Sequence, residues 1–220
     1  MLETLTFNDL CVVVVNYRTP DLLLRAVSSF CSFYPDLDVV IVDNGSNDAS
    51  LAVIDQLESD SNGKLKSLLL GKNFYHGPAM DIAIRANEKE VFFFLDTDTE
   101  TLRGGFLEEM LPVFEDDSVY AIGEVDHVNK RGFSSENGIS IVISAYMMLR
   151  KSKYLQLPPF KHHGMPTLEN FSAAASKGFK VVDFPIEQYV RHFGRGTASR
   201  FGYGLGVKGG LNYLLNKIGL

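Results

Sequence analysis

The sequence predicts an α/β protein: a mostly parallel sheet flanked by helices, with a more mixed second half. Three observations predict it. Short β-branched or apolar runs alternate with amphipathic helical segments over the first hundred residues, the signature of right-handed β-α-β units. Three of those runs stop abruptly in polar side chains, at Asn16-Tyr17, Asp43-Asn44 and Asp96-Thr97-Asp98. The chain has 220 residues, 45% hydrophobic and 22% charged, ordinary values for one globular domain with a sizeable core.

The elements follow in order. Leu10 to Val15 is a β-branched run and reads as a buried strand. Thr19-Pro20 opens a helix, with Thr19 as N-cap, Pro20 in the first turn, and an apolar stripe of Leu23, Leu24, Val27 and Phe30. Val39 to Val42 is a second strand, and Leu51, Ile54 and Leu57 mark a second helix. Leu65 to Leu70 is a third strand, and Pro78 to Asn87 a third helix with Ile82 and Ala86 on one face. Val91 to Leu95 is a continuous apolar run, as expected of a central parallel strand covered on both faces. Beyond it, Thr101 to Phe114 reads as helical after Gly104-Gly105, and Val119 to Val125 and Ile139 to Leu149 as strands. Thr167 to Lys177 is a helix N-capped by Thr167 and stopped by Gly178, and Lys180 to Phe184 a strand. From Gly194 the chain is rich in glycine, which predicts a flap or loosely ordered tail. Leu211 to Leu220 could close it as a short amphipathic helix. No internal repeat or linker divides residues 1–220, so one domain is expected.

Charge narrows the function classes. The net charge of −6 argues against a nucleic-acid partner. From Gln188 onward, however, there are five basic residues and no acidic one. A basic tail on an acidic body suits a phosphate-bearing ligand or an anionic membrane surface, and equally a solvated tail. Cys11 and Cys31 sit among apolar residues and read as free thiols of a reducing compartment. Met1 to Asn8 has no signal-peptide character, and the longest uncharged apolar-rich stretch, Ile139 to Leu149, is too short to span a bilayer. A cytoplasmic protein is expected, with peripheral contact at the inner face of the membrane through the basic tail.

Asp96 and Asp98 carry the most chemistry. Residues two apart on an extended chain point to the same side. Paired carboxylates at the end of a buried strand repel, so one moves toward protonation unless a cation lies between them. Hard oxygen ligands suit Mg²⁺ or Mn²⁺ joined to substrate phosphates. The bland reading is a polar turn after a core strand. Three polar clusters in register along one sheet edge favour a site, because ligands of open α/β sheets bind at the carboxyl ends of the strands.

Four segments together resemble inverting GT-A glycosyltransferases of family 2, in the rhamnosyltransferase-like branch, over roughly Leu10 to Arg200. Val12-Val-Val-Val-Asn-Tyr17 resembles the opening strand and nucleotide-contacting turn. Val39-Val-Ile-Val-Asp-Asn-Gly-Ser-Asn-Asp48 resembles the second strand with its base- and ribose-binding Asp. Asn73-Phe-Tyr-His-Gly-Pro-Ala79 resembles the Asn-x-Gly-x-x-x-Ala turn, with Tyr75 in the place of Gly. Leu95-Asp-Thr-Asp98 resembles the D-x-D metal motif. The resemblance implies a GT-A (Rossmann-like) fold: residues 1–100 as the nucleotide-binding half, 101–200 as the acceptor-binding half and 201–220 as a Gly-rich tail. It implies a nucleotide-diphosphate-sugar donor (UDP-, dTDP- or GDP-linked), a divalent cation, Mn²⁺ or Mg²⁺, and a glycan or lipid-linked saccharide acceptor.

Site residues follow from the same resemblance. Asn16 and Tyr17 would line the nucleotide pocket, and Asp43 would bond the base or ribose. Asn44, Asn73, Gly77 and Thr97 would belong to the donor site. Asp98 would ligate the metal, and Asp96 would meet the metal, its water or the ribose. The general base expected in this family is an acidic residue on the helix after the acceptor-binding segment. Here that is Glu169 in His162-His-Gly-Met-Pro-Thr-Leu-Glu169-Asn, although the usual acidic pair is reduced to one residue. A first-turn Glu that only stabilises its helix is the alternative. His192, in Tyr189-Val-Arg-His-Phe-Gly-Arg-Gly-Thr197, would complete the metal site, with packing as its alternative role. Arg195, Thr197 and Arg200 would contact the diphosphate, and His163 would line the acceptor site. His76, His127 and His162 carry no spacing argument.

Two rivals remain at this level. A haloacid-dehalogenase-like phosphatase also places D-x-D after an apolar strand, but here Glu100 stands where Thr or Val is usual, and the nucleophile is commonly nearer the N-terminus. A nucleotide-sugar-binding module without catalysis is the non-enzymatic alternative. A dinucleotide dehydrogenase lacks its G-x-G-x-x-G here.

Overall fold

A computed structural model of the chain describes residues 4–161 and 165–194. In chain order the elements are β1 (Leu10–Asn16), α1 (Pro20–Cys31), β2 (Val39–Asp43), α2 (Ser50–Asp60), β3 (Leu65–Leu69), α3 (His76–Ala86), β4 (Val91–Phe94), β5 (Thr99–Thr101) and α4 (Phe106–Met110). After these come β6 (Val119–Gly123), β7 (Val125–Val128), β8 (Ile139–Val142), β9 (Met148–Arg150), α5 (Lys151–Tyr154), α6 (Leu168–Ser176), β10 (Lys180–Asp183) and β11 (Val190–His192).

Seven strands form one sheet in the order β10-β6-β9-β4-β1-β2-β3. The β4-β1-β2-β3 block is wholly parallel, as the alternating sequence pattern requires. β9 runs antiparallel between β4 and β6 and makes the sheet mixed. Two small antiparallel pairs, β7-β8 and β5-β11, lie outside it.

Successive side chains of a strand face opposite ways, and β1 shows what that does here. Val12 and Val14 join Leu23, Val27 and Phe30 of α1, together with Phe93 and Phe106, in one core. Cys11 and Val13 join Ala79, Met80 and Ala83 of α3, together with Phe92, Phe94 and Phe171, in the other. A central strand buried on both faces must be apolar throughout, hence the unbroken runs in the sequence. Both cysteines are free thiols, and burial pushes the Cys11 thiol up to about 12.

Several sequence expectations are corrected. Leu24 is exposed, off the α1 stripe. The buried face of α3 is Gly77, Ala79, Met80, Ala83 and Ile84, not Ile82 and Ala86. Thr19 and Thr167 stand at helix starts but make no side-chain cap bond. The expected helix 101–114 begins as strand β5, and only Phe106–Met110 is α-helical before a 3-10 turn containing Pro112, which has no N–H to donate. The 119–125 run divides at Gly123, where φ is 152° and a Cβ would meet Val142 Cγ1 at 2.7 Å. The 139–149 run is broken by a 3-10 turn at Ser144–Tyr146, so its ends join different sheets. The expected glycine-rich flap and terminal helix lie outside the described residues.

Among the described residues, no helix is long and apolar enough to cross a membrane.

Candidate active site

Three parallel strands deliver their polar ends side by side. Asn16 is in register with Asp43 across β1 and β2, and the Asn44 N–H donates to the Asn16 carbonyl at 2.8 Å. β4 flanks β1 on the other side, and the Leu95 N–H still donates to the Val13 carbonyl at 3.0 Å. The chain therefore stays tied to the sheet up to the aspartates.

The side chains at these ends bond to one another. Asn16 Nδ2 donates to Asp43 Oδ1 at 2.9 Å, and the Ser46 N–H donates to Asp43 Oδ2 at 2.8 Å. Thr19 Oγ1 donates to Asn16 Oδ1 at 3.0 Å and lies within hydrogen-bond distance of Thr97 Oγ1 at 3.3 Å, linking the first strand end to the third. Asn44 Nδ2 donates to Asn73 Oδ1 at 3.1 Å, and the Phe74 N–H donates to Asn44 Oδ1 at 2.8 Å. Asn16 is buried, and its amide is committed to Asp43 and Ser46, so it supports Asp43 from within the strand ends. Tyr17 is half-buried, with the Arg18 guanidinium over its ring.

Asp96, Asp98 and His192 form the centre. One ligand atom from each lies within 4.8 Å of the others, the metal-competent cluster found among the described residues. His192 arrives through the small sheet: β11 pairs antiparallel with β5, placing His192 opposite Thr99, and the Phe193 N–H donates to the Asp98 carbonyl at 2.9 Å. His192 Nε2 lies 3.2 Å from Asp98 Oδ1. The Asp98 bond raises the His192 pKa against the opposing effect of burial. Burial raises the Asp96 pKa; His76 pulls it back, Asp98 pushes it up and His192 lowers it. Two carboxylates and an imidazole fit Mn²⁺ or Mg²⁺, because hard oxygens suit both ions and imidazole is an accepted Mn²⁺ partner.

Three residues near this centre escape sequence reasoning. His76 Nε2 lies 3.5 Å from Asp96 Oδ1. Tyr146 packs its ring edge-on against His192, with centroids 5.9 Å apart, and donates its hydroxyl to Glu124. Burial and Glu124 raise the Tyr146 pKa, so the phenol stays protonated and donating. His76 has a sequence signal in hindsight, since it follows Tyr75 where the resembling turn has glycine. Tyr146 and Glu124 have none.

Glu169 lies in the first turn of α6, about half exposed, and is ion-paired with Lys161. It lines a groove of about 450 Å³ with Lys130, Arg131, Met165 and Pro166. Gly77 ties that region to the metal end: a Cβ there would collide with the Lys161 carbonyl and approach Pro166 Cβ at 2.9 Å. His163, Arg195, Thr197 and Arg200 lie outside the described residues.

Comparisons with known proteins bear on the family and the fold. The sequence profile of glycosyl transferase family 2 matches residues 11–178. An "Uncharacterized glycosyltransferase alr2836" from Nostoc sp. is 32% identical over 119 residues, 54% of this chain and 36% of its own length. Among solved structures, the fold matches mannosyltransferase PcManGT from Pyrobaculum calidifontis, in complex with GDP-Man and Mn²⁺. That match has a TM-score of 0.66 and 17% identity, over 80% of this chain and 55% of that one. It also matches S. aureus TarS 1-349, in complex with UDP-GlcNAc, with a TM-score of 0.61 and 18% identity, over 82% of this chain and 57% of that one. The chain thus spans about a third of the curated relative and little more than half of each structure.

Proposed function

The chain belongs to glycosyl transferase family 2, and we propose that it moves a sugar from a nucleotide-diphosphate donor to an acceptor hydroxyl with inversion. The observation that carries this reading is the Asp96-Asp98-His192 cluster beside the Asn16-Asp43 strand ends. The GDP-Man, UDP-GlcNAc and Mn²⁺ bound by the structural neighbours support a donor of the same kind. Resemblance to the rhamnosyltransferase-like branch favours a hexosyl or deoxyhexosyl group on UDP, GDP or dTDP, and a glycan or lipid-linked saccharide acceptor. The basic tail would give peripheral membrane contact.

In this reading Asp43, held by Asn16 and Ser46, accepts a hydrogen bond from the base or ribose. Tyr17 offers its half-exposed ring to the nucleotide. Asn44 and Asn73 fix the turn that leads into α3, and Thr97 fixes the backbone between the two aspartates. Asp98, Asp96 and His192 hold the divalent cation. When bound, that cation stabilises negative charge developing on the leaving diphosphate. Glu169 takes the proton of the attacking acceptor hydroxyl, which requires release from Lys161. The hydroxyl attacks the anomeric carbon from the side opposite the diphosphate, so one displacement inverts the centre. Arg195 and His163 are assigned to diphosphate and acceptor by resemblance alone.

A thermal-shift screen of UDP, GDP and dTDP, with and without Mn²⁺, tests this reading. A ligand at 100 times its Kd stabilises the native state by about 2.7 kcal/mol. One nucleotide is expected to stabilise the protein strongly, and only with Mn²⁺. No stabilisation by any of the three, or phosphate release from simple phosphomonoesters, would sink the reading in favour of the phosphatase. Donor binding with neither transfer nor hydrolysis would leave a binding module.

A further inference from the structure

The turn before α3 combines two features that its own packing does not explain. Tyr75 has φ 69° and ψ 169°, a region that is essentially glycine's. Holding a tyrosine there costs on the order of 1–3 kcal/mol. The next residue, His76, has a buried Nε2 with no hydrogen-bond partner among the described residues. A buried polar atom left unpaired costs about 1–3 kcal/mol. Backbone strain and an unpaired ring nitrogen in consecutive residues, the second of them 3.5 Å from Asp96, mark a functional position.

The surroundings fix where His76 can act. Its Nε2 faces Asp96 Oδ1 at 3.5 Å, just beyond good hydrogen-bond geometry. The atoms within 4.8 Å of one another belong to Asp96, Asp98 and His192, and His76 is outside that group. It therefore stands behind Asp96. The helix start packs closely at Gly77, where a Cβ would collide with the Lys161 carbonyl and approach Pro166 Cβ at 2.9 Å. Asn73 holds the other end of the turn, accepting the Tyr75 N–H at 2.7 Å.

We propose that His76 is a positioning residue for the cation site, donating its Nε2–H to Asp96 and holding that carboxylate in its ligating orientation. The inference rests on the glycosyltransferase reading but concerns a residue that the D-x-D resemblance does not include. A ligating carboxylate with a fixed outer partner binds more tightly, and loss of such a partner typically lowers metal affinity about 10–100-fold. The close approach of Lys161 and Pro166 to Gly77 also brings the segment before α6 against the residue that follows His76.

The test is Mn²⁺ affinity of the whole chain without nucleotide, read from the free-ion signal in electron paramagnetic resonance. His76→Ala is expected to weaken binding about 10–100-fold. His76→Gln, which keeps an N–H donor of similar reach, is expected to recover most of the loss, which a packing role would not. Spin-echo spectra of the bound ion should show one directly coordinated imidazole nitrogen. Unchanged affinity in His76→Ala, or equal losses in both variants, would overturn the inference. Two coordinated nitrogens would also overturn it, by making His76 a ligand. A parent chain that binds no Mn²⁺ would bring down the cation-site reading itself, whereas a binding parent with an indifferent His76→Ala fails the inference alone.

Discussion

The two halves of the molecule hold their functional side chains in opposite ways. In residues 10–98 the polar groups at and just after the ends of β1 and β2 are buried and bonded to each other or to neighbouring turns. Asn16, Thr19, Asp43 and Asn44 are nearly inaccessible, and each has a side-chain partner from another turn, Thr97 in the case of Thr19. In residues 99–192 the corresponding groups are half-exposed and meet charged partners: Glu169 with Lys161, Arg191 with Glu100, His192 with Asp98. A network satisfied before a ligand arrives is rigid and presents one geometry, because leaving any member unpaired is costly. Exposed ion pairs hold little energy and rearrange readily. Under the proposed function, the difference suits a first half that binds the donor in one geometry and a second half that adapts to the acceptor.

The largest expected effect breaks the second region without touching the first. Glu169→Gln keeps size and hydrogen bonding but cannot accept the proton. Transfer should slow by roughly 10²–10⁴, with nucleotide affinity within about threefold of the parent. Steady-state kinetics with donor binding measured separately would check this. Near-normal transfer would return Glu169 to a helix-stabilising role.

The next variant breaks the first region. Asp43→Ala strands the Asn16 amide and the Ser46 N–H inside the strand ends. A loss of about 1–3 kcal/mol in unfolding free energy is expected, together with weaker nucleotide binding. If denaturant melts of the variant match the parent, the network is not the rigid element described.

The smallest effect has the opposite sign. Tyr75→Gly relieves the left-handed strain at the start of α3. It also loosens the unfolded chain, so a net stabilisation of about 0.5–1 kcal/mol is expected. A destabilised variant would mean that the tyrosine ring contributes more than its backbone strain removes.

The same contrast explains what could be read from the sequence. The first half was legible because parallel strands covered on both faces must be apolar without interruption, and each ends where polar residues begin. Asp43, Asp96 and Asp98 stand at such ends and could be picked out by position. Position alone does not show that the amide of Asn16 is bonded to Asp43 and Ser46. The second half resisted because its strands are three to five residues long and three-residue helical turns interrupt its apolar runs. His192 was found by resemblance; the pairing that delivers it, β11 on β5, joins residues about ninety apart and leaves no local pattern. Tyr146 and Glu124 meet only after β7 and β8 leave the main sheet, so no spacing announces them.

The central claim is that Asp96, Asp98 and His192 hold a divalent cation that the nucleotide requires. Isothermal titration of the favoured nucleotide diphosphate into the parent and Asp98→Ala, each with Mn²⁺ and with chelator, tests it most directly. The parent should bind at least about 100-fold more tightly with Mn²⁺ than with chelator, roughly 2.7 kcal/mol. Asp98→Ala, folded by circular dichroism, should show no such difference. Nucleotide binding that is equally tight with chelator, or Mn²⁺ dependence surviving in Asp98→Ala, would contradict the account.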